Sequence, residues 1–313
     1  MVSDRAMRRT QPNSRPPADT ARRLAWQSIA AARAHDPATR VPFFWTASPD
    51  APRDVELGSV APSHLSTLER WPQWLRVSER RVNLIAAPAP CTAALAEMND
   101  ALRAEGLIVG WRDESFPVYS VDGGVLGMTL ERAAARFWGS LTLGAHCNGF
   151  VPDASGRPQR LWLARRAPNK ATDPGKLDNL IGGGVPFGQT PRETVVREGW
   201  EEAGLGPEQM QHARPGRVMR VLYDTPAGLH REWVHVFDLA LPPGLVPRNQ
   251  DGEVASLTLH ELPAALALAA SGEMTIDASL ATLDFALRHG ALPADEHAAL
   301  SAAMAEMWVE NPT

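Results

Sequence analysis

The chain has 313 residues, of which 44% are hydrophobic and 21% are charged. This composition is typical of a globular protein and includes enough apolar residues for two domains. The net charge of −5 offers no broad positive surface, so neither nucleic acid nor an anionic membrane is an expected partner. The two cysteines, Cys91 and Cys147, match no zinc-binding spacing and favour a reduced, cytoplasmic protein. The longest apolar runs, such as residues 264–270, are far shorter than the roughly 20 residues that span a bilayer, so we expect a soluble protein.

The first forty residues are rich in arginine, with proline and serine interspersed. Such a composition is typical of a transit peptide, but three aspartates interrupt it. Residues 1–18 also lack apolar periodicity, so we expect a disordered tail there. No secretory segment is expected.

The chain beyond this tail divides into a mainly helical part and a part with many strands. Helices are predicted near 20–34, at 92–105, where Gly106 is a stop signal, and at 130–139. Strands are predicted at 161–164, 217–223 and 231–241, and helices return at 261–271, 277–290 and 294–308. The change of pattern predicts an N-terminal α+β domain over 19–128 and a second mixed domain over 129–313.

A further helix is predicted between Thr190 and Gly204. Thr190 and Glu193 form a capping box, Pro191 fits the first helical position, and Gly204 is a stop signal. At 3.6 residues per turn, the glutamates at 198, 201 and 202 fall within an arc of about 100°. Clustered carboxylates repel one another unless a cation neutralises them, and Mg²⁺ prefers oxygen ligands of this kind. A solvated helix face is the alternative.

Glycines occupy positions 182, 183, 184 and 188, between an apolar stretch and this helix. We expect a strand to enter a flexible loop here, since glycine allows positive φ angles and a close approach of the backbone to a ligand. Taken alone, such a run is more often a plain turn.

Together, the glycines and the helix resemble the Nudix box of the Nudix hydrolases, G-x5-E-x7-R-E-U-x-E-E-x-G-U, where U is a bulky apolar residue. Gly183 fills the first position, and the later positions are filled in register by Arg197, Glu198, Glu201, Glu202, Gly204 and Leu205.

Two positions depart from the box. Gln189 stands at the position of the first glutamate, which we expect to weaken metal affinity or to change the number of metal ions. Gly199 stands at an apolar position, and we expect Trp200 to cover the gap.

The resemblance extends beyond the box, over roughly residues 20–290. Residues 131–151, 161–184, 249–257 and 283–290 are similar to a Nudix subfamily with a dedicated N-terminal domain, which is also found fused to thiamine pyrophosphokinase. Residues 106–118 resemble the end of that domain. The resemblance implies an α+β protein in which a smaller α+β domain precedes a Nudix α/β/α sandwich with a mixed sheet.

The resemblance also implies an activity, the Mg²⁺- or Mn²⁺-dependent hydrolysis of a small-molecule diphosphate. Members of the subfamily convert thiamine diphosphate, and more readily its oxidised, damaged forms, to the monophosphate, which is a repair of damaged metabolites. A monomer or homodimer is expected. Two alternatives stay open: hydrolysis of a nucleoside diphosphate derivative such as ADP-ribose, and a catalytically weak sensor that binds a phosphorylated ligand.

The box implies roles for individual residues. Glu198, Glu201 and Glu202 would hold the metal ions, which activate water and neutralise charge on the diphosphate. Arg197 would hold a neighbouring carboxylate in position. Glu253 is a candidate general base alongside Glu202, with a simple turn acid as the alternative.

Further residues are expected to contact the substrate. Gly183 and Gly184 would approach it through the backbone. The cations of Arg165, Arg166 and Lys170 would meet the terminal phosphate unless they are merely solvated. Asp178 and Asn179 would orient the loop or close a turn.

Two more positions are ambiguous in the sequence. Trp111, Arg112 and Glu114 are expected either to wall a flat, cationic heterocycle or to belong to a strand at the domain boundary. His146 is expected to be a packed, hydrogen-bonded residue, since it has no matched second histidine.

Overall fold

The computed structural model describes residues 25–47, 53–310 and 312. The predicted tail over 1–18 lies outside these residues, and the helix predicted near 20–34 is described from residue 25 onward. None of the helices in the described ranges has the length and apolar character needed to cross a membrane.

The N-terminal part contains a four-stranded sheet and a separate hairpin. Its helices are α1 (Gln27–Ala31), α2 (Leu65–Leu68), α3 (Pro88–Ala104) and α4 (Ala135–Trp138). Its strands are β1 (Val41–Thr46), β2 (Val55–Val60), β3 (Leu75–Ser78), β4 (Arg81–Ile85), β5 (Ser115–Tyr119) and β6 (Val125–Glu131). The sheet has the order β2-β1-β4-β3, and β5 pairs with β6.

The predicted helix over 92–105 is confirmed as α3, which begins earlier because Pro88 fits its first turn. Its buried residues recur every three or four positions and pack in a core that includes Trp138. Trp138 also donates a hydrogen bond from Nε1 to Oδ1 of Asn99 at 2.8 Å. The helix therefore ties the sheet to the end of the N-terminal part.

The predicted helix over 130–139 is wrong in most of its length. Leu130 pairs with Phe116 in the β5–β6 hairpin, so the strand continues to Glu131. A 3-10 turn follows, and α4 makes a single turn before Gly139 ends it in the left-handed region at φ +59°. Pairing across the hairpin overrides the local helical pattern.

The second part is built on a seven-stranded mixed sheet. Its strands are β7 (Leu141–Pro152), β8 (Pro158–Arg166), β9 (Leu177–Asp178), β10 (Ile181–Gly184), β11 (Arg214–Thr225), β12 (Gly228–Ala240) and β13 (Val254–Glu261). The main order is β11-β12-β7-β8-β13, with β10 on β7 and β9 on β8. Strands β7 and β12 run parallel, and the other pairs are antiparallel.

Helices cover both faces of this sheet: α5 (Pro191–Ala203), α6 (Pro207–Met210), α7 (Leu262–Ala270), α8 (Ile276–Arg288) and α9 (Ala294–Met304). Along β8, Trp162 faces a core shared with α5, whereas Leu161 and Leu163 face a core shared with α7 and α8. This alternation places one apolar layer on each side of the sheet. The predicted α+β fold, with an α/β/α sandwich and a mixed sheet after a smaller α+β part, is confirmed.

Helix α1 belongs to the second core although it precedes the first sheet in the chain. Trp26 and Ala32 are buried among residues of α7 and α8, and the backbone N–H of Leu222 donates to the carbonyl of Ala32 at 2.8 Å. At the other end, Phe137 and Trp138 lie in the N-terminal core, beyond the boundary at 128 expected from sequence. We propose that the two units divide near Gly139.

Candidate active site

Helix α5 has the ends that the sequence predicts. The Thr190 hydroxyl accepts from the N–H of Glu193, whose carboxylate accepts from the N–H of Thr190, and Pro191 starts the helix. Gly204 ends it at φ +65°. Both ends are thus fixed by local hydrogen bonds and backbone geometry.

The inner face of α5 packs closely on its surroundings. Val195, Gly199 and Ala203 are buried, and a Cβ on Gly199 would lie 2.7 Å from Sδ of Met210 in α6. Met210 therefore fills the space left by this glycine. The prediction that Trp200 covers the gap is wrong, because that side chain is 55% exposed.

Arg197 connects the acidic side chains of α5. Its Nη1 donates to Oε2 of Glu201 at 2.7 Å and its Nη2 to Oε1 of Glu198 at 2.8 Å. Its Nε donates to Oε1 of Gln189 at 3.3 Å. Gln189 thus supplies an acceptor oxygen to the arginine without adding a negative charge.

The three glycines at 182–184 lie in strand β10 rather than in the predicted flexible loop. Residues 181–184 pair with 144–147 of β7, and Gly188 is the one glycine of the four with a positive φ, at +83°. The N–H of Gly182 donates to Oε2 of Glu202 at 2.8 Å. A Cβ on Gly183 would lie 2.2 Å from Oε1 of Glu198. Glycine is therefore required here because the carboxylate of α5 lies directly against the strand.

Two of the three carboxylates are buried at an energetic cost. Burial raises the pKa of Glu198 to about 7, and the charge of Glu201 adds to the rise while Arg197 opposes it. Burial and the neighbouring charge of Glu198 raise the pKa of Glu202 well above its ordinary value. Oxygen donors that are buried and closely spaced suit a hard divalent cation, which would favour their ionised forms.

The carboxylates of α5 do not surround a single point in this arrangement. Arg197 binds Glu198 and Glu201, whereas the β10 backbone binds Glu202. Their donor chemistry fits a metal ion, and binding would exchange the contacts of Arg197 for contacts to the ion.

A cavity of about 390 Å³ lies between the N-terminal part and the sheet of the second part. Val109, Phe116 and neighbouring residues form one wall, and the glycines of β10 form another, next to Glu198. The basic side chains that line it are Arg112, Arg132, Arg136, Arg166, Lys170 and Arg231. Carboxylates, exposed backbone and cations together are the groups that bind a metal-complexed phosphate.

Several residues predicted from sequence line this cavity: Lys170, Asp178, Gly183, Gly184, Glu198 and Glu253. Lys170 forms an ion pair with Glu253, and Nη1 of Arg112 lies 3.7 Å from the same carboxylate. Although burial raises the pKa of Glu253, the hydrogen bond and charge of Lys170 lower it overall, with help from Arg112. Glu253 is therefore ionised at neutral pH.

Asp178 and Asn179 form side-chain hydrogen bonds with different residues. Asp178 accepts a hydrogen bond from Nη1 of Arg166 at 2.8 Å. Asn179 is buried and donates to Oδ1 of Asn148 at 2.9 Å and to the hydroxyl of Thr282 at 3.0 Å. His146 lies 3.0 Å from Oδ1 of Asn179, so its predicted hydrogen-bonded, buried state is confirmed.

Arg165 and Trp111 lie away from the described cavity wall. Arg165 is exposed and donates to the carbonyl of Gly175 at 2.7 Å. Trp111 packs against the N-terminal core, with the Arg103 guanidinium 4.5 Å from its ring. Glu114 accepts from Nη1 of Arg132 at 2.9 Å and so positions a cavity residue.

Arg132 was not assigned to the site from sequence, whereas Arg166 was expected at the terminal phosphate together with Arg165 and Lys170. Adjacent residues of a strand point to opposite faces, so alternation along β8 separates these two arginines, and Arg166 lines the cavity while Arg165 does not. Arg132 follows β6 and lies in the segment 130–139 that was predicted as helix, so its position had no usable signal.

Residues 149–277 match the family model described as the NUDIX domain. Residues 51–141 match a model described as a domain of unknown function (DUF4743). The chain therefore carries a Nudix domain, and the capped acidic helix and its glycine strand lie within that domain. Nudix hydrolases generally use divalent metals such as Mg²⁺ or Mn²⁺.

Two plant proteins are similar to this chain. Nudix hydrolase 20, chloroplastic, of Arabidopsis thaliana is 34% identical over 208 residues, which are 66% of this chain and 55% of that protein. Nudix hydrolase 24, chloroplastic, of the same plant is also 34% identical over 208 residues, 66% of this chain and 56% of the relative. The chain spans about half the length of these curated relatives.

A crystal structure of a Deinococcus radiodurans protein aligns with 24% identity and a TM-score of 0.40. The alignment covers 55% of this chain and 98% of the other.

Proposed function

We propose that the protein is a metal-dependent hydrolase that cleaves the diphosphate bond of a small molecule. The observation that carries this proposal is the meeting of Glu198, the glycine strand and Lys170 at one cavity. Glu198, Glu201 and Glu202 would hold Mg²⁺ or Mn²⁺. A bound ion would supply positive charge to the diphosphate and lower the pKa of water.

Other residues of the chain would position the carboxylates and bind the terminal phosphate. Arg197 would release or hold the carboxylates of Glu198 and Glu201 as the site fills, which makes it a positioning residue. Lys170 and Arg166 would bind the terminal phosphate, the latter held in place by Asp178. Water would attack the terminal phosphorus, and the bond to the bridging oxygen would break, giving a monophosphate and inorganic phosphate.

Two carboxylates are candidates for the base that accepts the proton of this water. Glu253 is ionised and lies on the cavity wall, but the lowered pKa makes it a weak base. Glu202 is the stronger base by pKa, but the N–H of Gly182 already donates to it. We propose Glu253 as the base, with Glu202 as the alternative.

We propose thiamine diphosphate, and preferentially its oxidised forms, as the substrate. The resemblance over residues 20–290 and the wall contributed by the segment before the Nudix domain support this assignment. The Arg132 guanidinium lies 5.4 Å from the centre of the Phe116 ring, so the aromatic face in the cavity already carries a cation. A cationic thiazolium would compete with that arginine, whereas an oxidised, neutral ring would not.

The test is the action of the full chain with Mg²⁺ on thiamine diphosphate, its oxidised forms, ADP-ribose, dinucleotides and deoxynucleoside triphosphates. Inorganic phosphate is measured for the thiamine compounds, and the phosphorylated products of the other compounds are separated by chromatography, because their cleavage need not release free phosphate. We expect a higher kcat/KM for the oxidised forms than for thiamine diphosphate. Glu202→Gln should lose activity with the fold retained, whereas Glu208→Gln, an exposed glutamate just beyond α5, should not. Activity on ADP-ribose alone would overturn the substrate. No activity on any compound would favour a ligand sensor.

A further inference from the structure

A second group of metal-binding side chains lies outside α5. His230 and Glu232 are two residues apart on β12, and Asp277 lies in the first turn of α8. One donor atom of each lies within 4.8 Å of the other two, and in the described ranges this is the one such group of three. Side chains two apart on a strand point to the same face, so the sheet itself brings the first two together.

His230 has a buried donor atom without a partner. Its side chain is 9% exposed, and Nε2 makes no hydrogen bond within the described structure. Oδ2 of Asp277 is 3.5 Å from this nitrogen, and Oδ1 of Asp277 is also buried without a hydrogen-bond partner in the described structure. Buried polar groups without a partner are unfavourable, and a bound cation would pair them.

The neighbours of this group hold its members in place. Oε2 of Glu232 accepts a hydrogen bond from the Thr142 hydroxyl at 2.9 Å. A Cβ on Gly144 would lie 2.2 Å from Oε1 of Glu232, so the glycine provides the room for this carboxylate. The Tyr223 ring centre is 4.7 Å from that of His230. Contacts of this kind fix the orientation of metal ligands.

We propose that His230, Glu232 and Asp277 form a second metal site, which binds a divalent transition metal such as Zn²⁺ or Mn²⁺. One imidazole and two carboxylates suit these ions, whereas Mg²⁺ prefers oxygen ligands alone. Ligands about 2.1 Å from one tetrahedral ion lie about 3.4 Å apart, so the donor atoms, which lie within 4.8 Å of one another, would move together by up to about 1.4 Å on binding. Glu232 and Asp277 also line the cavity, which gives the ion access to the bound substrate.

A competing arrangement is an ion pair between protonated His230 and Asp277 without metal. The two arrangements differ in whether they bind Zn²⁺. Binding is measured by calorimetry and by the shift of Tm. Both measurements are made in saturating Mg²⁺, so that this ion already occupies the α5 carboxylates. We expect one Zn²⁺ per chain. His230→Gln and Glu232→Gln should each weaken binding at least about tenfold, measured in the full chain.

The matched control is His235→Gln. His235 lies on the same strand, and its Nε2 is likewise buried without a partner, but it is not part of the cluster. Its Zn²⁺ affinity should equal that of the unaltered chain. Zn²⁺ binding that survives His230→Gln unchanged, or no binding by the unaltered chain, would overturn the site.

Cobalt substitution tests the nitrogen ligand directly. The visible spectrum of bound Co²⁺ should show imidazole coordination in the unaltered chain and in His235→Gln. If His230→Gln does not fold, Glu232→Gln decides the outcome, since its amide oxygen can still accept from Thr142. None of these readouts depends on hydrolysis, so failure of the proposed function leaves this test intact.

Discussion

Arg197 pairs with the acidic side chains of helix α5 and so affects whether they can bind a cation. It donates to two glutamates of α5 and to the neutral amide of Gln189 at the same time. A cation at the carboxylates must compete with this guanidinium. The departure from the Nudix box at position 189 would therefore act on metal binding through the arginine, without Gln189 being a ligand itself.

This geometry gives a prediction for Gln189→Glu. The new carboxylate would draw Arg197 towards itself and weaken its hold on Glu198 and Glu201. An exposed or half-exposed ion pair contributes up to about 1 kcal/mol, so we expect the Mg²⁺ concentration for half-saturation to fall by roughly two- to fivefold, with an unchanged order of substrate preference.

The measurement is an Mg²⁺ titration followed by Tm and by phosphate release. Gln189→Leu, which removes the acceptor oxygen, is the control and should not tighten binding. An identical titration curve for the glutamate variant and the unaltered chain would refute the role given to Arg197.

At the scale of elements, helix α5 should make the metal-free protein sensitive to pH. The pKa of Glu198 rises from 4.5 to about 7 on folding, so the folded state binds more protons than the unfolded state between these values. Stability therefore falls as pH rises from about 4.5 to 7, by on the order of 3 kcal/mol. Bound Mg²⁺ would replace the proton on Glu198 and so remove this loss of stability.

We accordingly expect Mg²⁺ to raise Tm more at pH 8 than at pH 5.5. Thermal unfolding at both values, with and without the ion, gives the comparison. Glu198→Gln carries no titrating group at this position, so its metal-free stability should vary less over the same window. A Mg²⁺ shift that is the same at both pH values would contradict the prediction.

The elements also show which signals in the sequence are reliable. Helix α5 could be placed because Thr190, Glu193 and Gly204 specify both of its ends locally. The strand at residues 181–184 could not, because three glycines have low strand propensity and only pairing with β7 makes them a strand. Helical spacing predicted the carboxylate cluster, but not that Arg197 would bind two of its members.

At the scale of the molecule, the core of the second unit contains residues that precede the first sheet in the chain. Trp26 from the start of the described chain is 5% exposed in the core beside α8, although the first sheet follows it in sequence. No local pattern could place this segment, because its contacts join distant residues: the hydroxyl of Ser279 donates a hydrogen bond to that of Ser28, 251 positions away. The cavity, too, needs residues from both units.

This packing predicts a large effect of Trp26→Ala on the stability of the whole chain. Loss of a buried tryptophan costs about 3–5 kcal/mol, and the cost should appear as a lower free energy of unfolding in urea. Trp200→Ala is the matched control, since Trp200 is 55% exposed and its loss should change stability by less than about 0.5 kcal/mol. Equal effects of the two changes would be inconsistent with the position of α1.

The position of α1 also bears on how such a protein could be recombined, by evolution or by an engineer. The segment that matches the NUDIX model, residues 149–277, excludes Trp26 and also Leu280, Phe285 and Met304, all of which are buried in its core. A gene fragment cut at those limits would encode an incomplete interior. The unit that can be exchanged between chains is therefore larger than the stretch that similarity outlines, and it is discontinuous along the gene.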